Sequence, residues 1–598
     1  MKEKHRSNTK LAIIGLRLLA GSVAAAFIAF GVASSSSVAN TSSCPSGSAE
    51  WPSSDPDIML ETDFYWTSPF IQHPVLVFRA CNATQKIDGC NFWDPSQAYH
   101  VVVQDIRGSP ECANTPTPFI GDLLYKFDQD DGHTFIDGVN DSTWCNGNIG
   151  MEGTSNGGIV SYLAAVDADP SLRGIQTSYA TGDLLNYGLF NGGVLHKEIL
   201  YPVDLAQPPN QISWKDYVGL GIWDKYLITD QDAGRTHVAG LHVGGWFDVF
   251  GQGLLDTSSR MQKNGGFGSV NNQKVVIGPW IHTGVTGGDG YLAFPSPTPT
   301  NPSLLDYDSA WKQCVFGAGP TPCAAWGQLK AVKVYRINAT PGTEWTTYDT
   351  WPPPSKEVKF YFTSTHGLSG DPPRVNGQQS FMSDPANPCP TLGGTNNLNS
   401  CISPSPVPSP MPCGSFDQRP IENRQVTPGD VVVFTSDSLP NGGTVVGRIH
   451  ADIYIKTSLP DVDVFVRMTD VFPDGHSMLM AQGIQRARYR NGACPQLLTN
   501  QATLIPVDLS STAWVLQPGH KLRVIVSASA GPNHPGGDPI YSVNPQNGDE
   551  YIGLGHLPRV GTINVLVGPS QQSVLFVPQP LPMSTPPDRR PPKPTPCP

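Results

Sequence analysis

The stretch "IGMEGTSNGG" (149–158) holds the first residues whose types and spacing could do chemistry. Gly153-Thr154-Ser155-Asn156-Gly157 fits G-x-S-x-G, the pattern of a serine raised on a sharp strand-to-helix turn. In a chain with 61 glycines the same pattern also arises from composition, so a polar residue in a Gly-rich loop is the competing reading. A serine hydroxyl is a poor nucleophile near neutrality unless a base takes its proton, and that base is usually a histidine oriented by a carboxylate. On a parallel sheet carrying such a turn, the acid and then the histidine follow the serine along the chain, each just past a strand. Asp248 follows the apolar run of "LHVGGWFDVF", and His282 follows the Gly-Pro break of "VVIGPWIHTG". Singly, Asp248 reads as well as a helix N-cap before "VFGQGLL", and His282 as a polar loop residue. Together, in order and at strand ends, Ser155, Asp248 and His282 predict nucleophile, acid and base.

The elements that must position them follow from hydrophobic periodicity. "HPVLVFRA" (73–80), "AYHVVVQDIRG" (98–108) and "NIGMEG" (148–153) read as buried strands, and "GGIVSYLAAVDA" (157–168) has helical spacing. Further strands are expected at "GIQTSYA" (174–180), "THVAGLHVGGW" (236–246) and "KVVIGPW" (274–280). Strands alternating with helices predict a mostly parallel sheet covered on both faces, an α/β hydrolase fold built from residues 57–182 and 233–350. The aromatic, partly helical stretch 183–232 reads as a short cap inserted between those parts, or else as a crossover with a long loop. After "WPPPSKEVKFYF" (351–362) the period becomes two, which predicts a β-sandwich over 351–577. Residues 383–425 form a Pro/Cys-rich loop within it, and 578–598 a Pro-rich tail.

Bulk properties narrow the classes. A chain of 598 residues exceeds one hydrophobic core, and a net charge of −12 argues against nucleic acid or an anionic membrane as partner. The basic start, the apolar "LLAGSVAAAFIAFGVA" and the small residues around Ala33 and Ala39 have the layout of a signal peptide over 1–39. A retained membrane anchor over Leu11–Ala33 is the alternative. Twelve cysteines, an even set, then read as disulfides, with Cys81–Cys90 and Cys314–Cys323 as local bridges and two of Cys389, Cys401 and Cys413 as a staple. There is no CxxC pair and no HExxH, so neither a metal nor another cofactor is expected. "DQDDGHTFIDG" misses the EF-hand spacing, and Asp131 reads as an N-cap. Asp105 and Arg107 read as a structural ion pair or turn.

Several segments taken together resemble a known family. "WCNGNIGMEGTSNGG" is similar to a signature around a catalytic serine, "VVVQDIRGS" to an Asp-x-Arg-Gly strand end, and "GGWFDVF" and "GPWIH" to segments carrying an aspartate and a histidine. "DPANPCPTLGG", "FDQRP", "DVFPDGHSMLMAQGIQRARYR" and "PGHKLRVIVSAS" resemble the same family's jelly-roll domain. The family is the CocE/NonD-type serine hydrolases, which contains cocaine esterase, α-amino-acid ester hydrolases and X-prolyl dipeptidyl peptidases. The resemblance spans about residues 57–570 and implies that Ser155, Asp248 and His282 are nucleophile, acid and base. It also implies an oxyanion hole from the Asn156 N–H and a second donor. Asn156 stands where the family has Tyr. In "FRACNATQK", Asn82 lies nearest the family's oxyanion Tyr; it either replaces that donor or only turns the chain, with a backbone N–H near Cys81 acting instead. The cap is shorter than in cocaine esterase. Asp248 is followed by Val249, Phe250 and Gly251, without the extra acids of the hydrolases that prefer α-amino acids.

The expected protein is an exported serine hydrolase that cleaves ester or amide bonds through an acyl-enzyme on Ser155, without cofactor. Its partner would be a small ester, amide or short peptide, with no nucleic acid and no stable membrane partner once the signal is cleaved. The alternatives are an exopeptidase of the X-Pro dipeptidyl-peptidase type and a catalytically silent binding protein.

Overall fold

The computed structural model of the chain describes residues 46–52, 59–65, 72–80, 99–106, 127–196, 227–292, 302–395, 413–492, 496–529 and 559–581, less a few single positions within them and with a few isolated ones outside. The expected signal segment, Asn82, the Cys81–Cys90 pair, Arg107, residues 197–226 of the cap and most of the Pro-rich tail lie outside the described residues.

The first half alternates strands β1 (Ser46–Pro52), β2 (Met59–Tyr65), β3 (His73–Ala80) and β4 (His100–Asp105) with later βα pairs. These begin with helix α1 (Asp128–Asn140), β5 (Cys145–Thr154), α2 (Asn156–Ala164) and β6 (Leu172–Ser178). After the small hairpin β7 (Phe190–Asn191) and β8 (Val194–Leu195) come α3 (Asp230–Gly234), β9 (Ala239–Phe247), α4 (Gly251–Asn264) and β10 (Gln273–Ile281). The half ends with α5 (Pro302–Phe316), α6 (Ala324–Gln328), β11 (Val332–Tyr335) and β12 (Trp345–Tyr348). The sheet order is β1-β2-β4-β3-β5-β6-β9-β10-β11-β12, and from β4 to β11 every pairing is parallel. This is the α/β hydrolase arrangement. Its central strands are buried along their whole length because helices cover both faces, so apolar residues fill the middles of β4 (Val101–Val103) and β10 (Val275–Ile277), and the polar residues at their ends, with His242 in β9, are buried as well.

The second half is β-rich: β13 (Ser355–Phe362), β14 (Gly367–Ser369), β15 (Gly377–Ser383), β16 (Val431–Ser436), β17 (Gly443–Lys456), β18 (Asp463–Val471), β19 (Ser477–Arg486), β20 (Thr503–Leu516), β21 (Lys521–Ser527), β22 (Gly561–Val567) and β23 (Val574–Pro580). Its pairings are antiparallel except β14 with β16. β17 alternates buried and half-exposed residues, the period of a strand with one face on a core. β20 pairs with β17 and packs against β18 and β19, which folds the sheet into two layers. β23 runs to Pro580, past the residue where the tail was read to begin.

The halves share one apolar core. Trp246, Phe247 and Ile281, at the ends of β9 and β10, cluster with Ile449, Leu509 and Trp514 of the second half. Ile337 donates its N–H to Ala513 O at 2.8 Å across the junction. The β7–β8 hairpin also docks on the second half: Val194 packs with Phe465 and Ile484, and Arg486 N–H donates to Gly192 O at 2.8 Å.

Two expectations need correction. Cys314 and Cys323 are bridged, and Cys413 is in a disulfide, but Cys145 and Cys389 are free buried thiols. Both are buried, Cys145 accepting the Gly147 N–H at 3.4 Å and Cys389 lying near Arg467 and Arg424, an arrangement that parity of count cannot reveal. Asp131 is no N-cap. It lies fully buried inside α1, whose N-cap position is Phe127.

Candidate active site

Ser155 sits between β5 and α2 with φ 55° and ψ −118°, a backbone conformation costing a non-glycine residue about 1–3 kcal/mol. The neighbouring glycines make it possible. A Cβ on Gly153 would lie 2.2 Å from Gly157 backbone atoms, and one on Gly158 would lie 2.5 Å from the Ala180 Cβ. Ser155 N–H donates to Ser178 O at 2.8 Å, tying the turn to β6, and Ser155 O accepts Ile159 N–H at 3.0 Å as α2 begins.

β9 ends at Phe247, and Asp248 turns the chain: its N–H donates to Gly245 O at 3.2 Å and its carbonyl accepts Gly251 N–H at 3.0 Å. α4 starts at Gly251 with Phe250 at its N-cap position, so Asp248 is not that helix's cap. β10 shifts register against β9 between Gly278 and Ile281, a bulge at the Gly-Pro break that re-aims the strand end. There His282 places Nε2 2.8 Å from Ser155 Oγ and Nδ1 2.7 Å from Asp248 Oδ1. The carboxylate requires an N–H at Nδ1, which leaves the Nε2 lone pair to accept the serine O–H. Asp248 is 2% exposed and His282 9%. The Phe250 and Tyr179 rings meet the imidazole edgewise, at 5.4 and 6.4 Å between centroids, and limit its rotation. Burial, with the Asp248 carboxylate near, drives the Tyr179 phenol well above its usual pKa, so it stays protonated.

Below the serine turn lies a buried polar node. His242 on β9 accepts at Nδ1 from Tyr162 Oη (2.7 Å) on α2 and from Thr177 Oγ1 (3.0 Å) on β6, and donates from Nε2 to Gln273 Oε1 (2.9 Å) on β10. Burial pushes this histidine down to about 4 and keeps it neutral, as that donor pattern requires.

The structure thus brings Ser155, Asp248 and His282 together. Asn156 opens α2, so its N–H is among the four that a helix leaves to partners outside itself. Asn82 lies outside the described residues. Sequence reasoning missed Tyr179, Phe250 and His242. Tyr179 and His242 stand in segments read as strands and Phe250 at a helix start, and only the nearness of Phe250 to Asp248 and of Tyr179 to the end of β6 could have drawn attention to those two.

Comparison with known proteins adds independent findings. A family model for the X-Pro dipeptidyl-peptidase (S15 family) matches residues 96–217, and one for the X-Pro dipeptidyl-peptidase C-terminal non-catalytic domain matches residues 324–575. Cocaine esterase of Rhodococcus sp. (strain MB1 Bresler) is 25% identical over 549 residues, covering 80% of this chain and 89% of that protein. An α-amino acid ester hydrolase structure aligns with TM-score 0.69 at 20% identity, covering 92% of this chain and 99% of the other. An aminopeptidase from a marine sediment archaeon (Thaumarchaeota archaeon) aligns with TM-score 0.68 at 19% identity over the same shares. At those identities the two structures speak for the fold.

Proposed function

Because this chain belongs to the CocE/NonD-type serine hydrolases, enzymes of the S15/CocE type acting on esters or peptides, we propose that it works through an acyl-enzyme on Ser155. The single observation that carries this reading is the unbroken chain from Ser155 Oγ through His282 to Asp248 at 2.8 and 2.7 Å. Ser155 attacks the carbonyl carbon while His282 Nε2 takes its proton, and Asp248 stabilises the imidazolium that forms. The Asn156 N–H and a second donor, for which Asn82 is the candidate, hold the oxyanion; one such donor is worth about 3–4 kcal/mol in the transition state. When the tetrahedral intermediate collapses, His282 returns the proton to the leaving alcohol or amine. The neutral imidazole then takes a proton from water, whose oxygen attacks the acyl-enzyme carbonyl. As the ester to Ser155 breaks, the imidazolium protonates Ser155 Oγ and the carboxylic acid is released.

A small ester or amide is the favoured substrate. The S15 match keeps an exopeptidase releasing X-Pro dipeptides as the second reading, and the absence of acids directly after Asp248, where Val249, Phe250 and Gly251 follow, lowers a preference for α-amino-acid esters. Export is part of the proposal, supported by the N-terminal layout and by the Cys314–Cys323 bridge, a bond of oxidising compartments.

A fluorophosphonate probe tests the nucleophile: wild type should be labelled and Ser155→Ala should not. Absence of label in both would leave a binding protein. p-Nitrophenyl esters set against X-Pro-p-nitroanilides then separate esterase from peptidase.

A further inference from the structure

The chain after His282, "HTGVTGGDGY", carries four glycines in ten residues, and Gly284, Gly288 and Gly290 have φ of 78°, 136° and 87°. Such a segment has much conformational freedom to lose and little in its own sequence to hold it. It folds back on β10, with Val285 O accepting Ile281 N–H at 2.9 Å and Thr286 bridged to Trp280. Gly284 lies against the Tyr179 ring of the first half, and the segment from Gly287 to Asp289 is supported by the second half of the molecule. Gly288 forms a parallel bridge with Ser415, and Asp417 N–H donates to Asp289 Oδ2 at 2.7 Å. Asp289 Oδ1 accepts Tyr291 N–H at 3.1 Å, so the carboxylate joins the loop to the 413–417 segment. The two backbones touch: a Cβ on Gly287 would lie 2.3 Å from Cys413 O, and one on Gly414 would lie 2.4 Å from Gly287 C.

The 413–417 segment is itself fixed from behind. Ser415 Oγ donates to Leu479 O at 2.9 Å, Ser477 N–H donates to Asp417 Oδ1 at 3.1 Å, and Gln418 N–H donates to Ser477 O at 2.7 Å, all on β19. Cys413 is disulfide-bonded, and Arg419 pairs with Asp417 at 2.6 Å. A strand of the sandwich therefore braces a glycine loop that begins at the histidine.

We propose that Asp289, gripped by the Cys413–Asp417 segment, is a positioning residue that holds His282 at its working distance from Ser155. The domain whose family description reads "non-catalytic" then acts on the chemistry through this contact. The inference rests on the serine-hydrolase reading above. A misplacement of about 1 Å is enough to cost about a hundredfold in rate, so a clamp acting this way shows in turnover before it shows in folding.

The test uses the full chain. Asp289→Ala removes both acceptors, Asp289→Asn keeps one, and Gly414→Ala wedges the two backbones apart from the other side. The expected result for Asp289→Ala is a fall of about 10- to 100-fold in both kcat on a p-nitrophenyl ester and the rate of fluorophosphonate labelling, with KM within about twofold. Asp289→Asn should be intermediate, and a Tm shift of only a few degrees would separate positioning from unfolding. If Asp289→Ala does not fold, the same readouts on Asp289→Asn decide. The clamp is overturned if the folded variants keep kcat and labelling within about twofold of wild type. It is overturned too if KM carries the whole loss. Should wild type itself take no label, the serine-hydrolase reading has failed and the clamp falls with it; labelled wild type with indifferent variants sinks the clamp alone.

Discussion

The serine turn and the histidine loop are both rich in glycine, and they are held in opposite ways. At Gly153–Gly158 the glycines are there because neighbouring parts of the same βα unit approach too closely for a side chain: Gly153 abuts Gly157, and Gly158 abuts Ala180. The strain at Ser155 is offset within about 25 residues by the start of α2 and the bond to Ser178. After His282 three of the four glycines, Gly284, Gly288 and Gly290, instead take positive φ, Gly290 with open space where a side chain would go, while Gly287 meets the Cys413 backbone of the other half. That loop is ordered by backbone contact with residues 413–417, from the other half of the chain. A strained turn can be specified locally, whereas a loose one must borrow its order.

The largest expected effect is on the chemistry both regions serve. Ser155→Ala should lower ester hydrolysis by about 10⁴-fold or more and Asp248→Asn by about 10⁴-fold, with urea unfolding of Ser155→Ala unchanged. Next comes the local nature of the serine turn. Gly153→Ala should cost about 4 kcal/mol or more in urea unfolding, because the clash is with backbone that cannot rotate away. A tolerated Gly153→Ala would break the contrast between the two regions.

Acid should loosen the floor of the serine turn. The unfolded chain takes up a proton at His242 below about 6.5, whereas the buried ring resists until about 4. Stability from this group is therefore complete above 6.5 and is lost as pH falls through about 4, by up to about 3 kcal/mol. His196, pushed by burial to about 3, acts in the same direction. Denaturant midpoints measured between pH 7 and pH 4 should follow this fall, and His242→Gln, weaker at neutrality, should fall less steeply.

Two smaller effects sharpen the comparison from the loop's side. Gly290→Ala meets no atom but keeps φ at 87°, so it should cost only about 1–2 kcal/mol of unfolding free energy. Arg448, on β17, donates to Asp508, to Asp256 of α4 (3.0 Å) and to Tyr187 Oη (2.7 Å), which joins the halves at a half-exposed rim. Ion pairs so exposed are worth about 1 kcal/mol or less, and Arg448→Met should show that in thermal unfolding while leaving turnover unchanged. A large loss of turnover there would mean that any damage to the junction disturbs the site, and the special place of Asp289 would disappear.

What could be read from the chain depended on how local its cause was. The apolar stretches within β4, β9 and β10 announce a doubly covered sheet, because burial on both faces leaves few polar positions and those few, such as His242 and Gln273, must find partners inside. Ser155, Asp248 and His282 each stand at a turn written in neighbouring residues: glycines around the serine, Gly-Pro before the histidine, the end of an apolar run before the aspartate. The local Cys314–Cys323 bridge was legible from its short spacing, but which cysteines stay free was not, since Cys145 and Cys389 look like the others until their surroundings are known. Nor was the environment of the imidazole, because Tyr179 and Phe250 reach it from different strand ends. By itself the sequence determined the alternation of strands and helices, the glycine-lined serine turn and the identity of the chemical groups, since short-range sterics and hydrophobic period decide these. Only the tertiary structure decided the distances among those groups and the bracing of the histidine loop, because a distance between chain segments far apart in sequence is set by how whole layers pack.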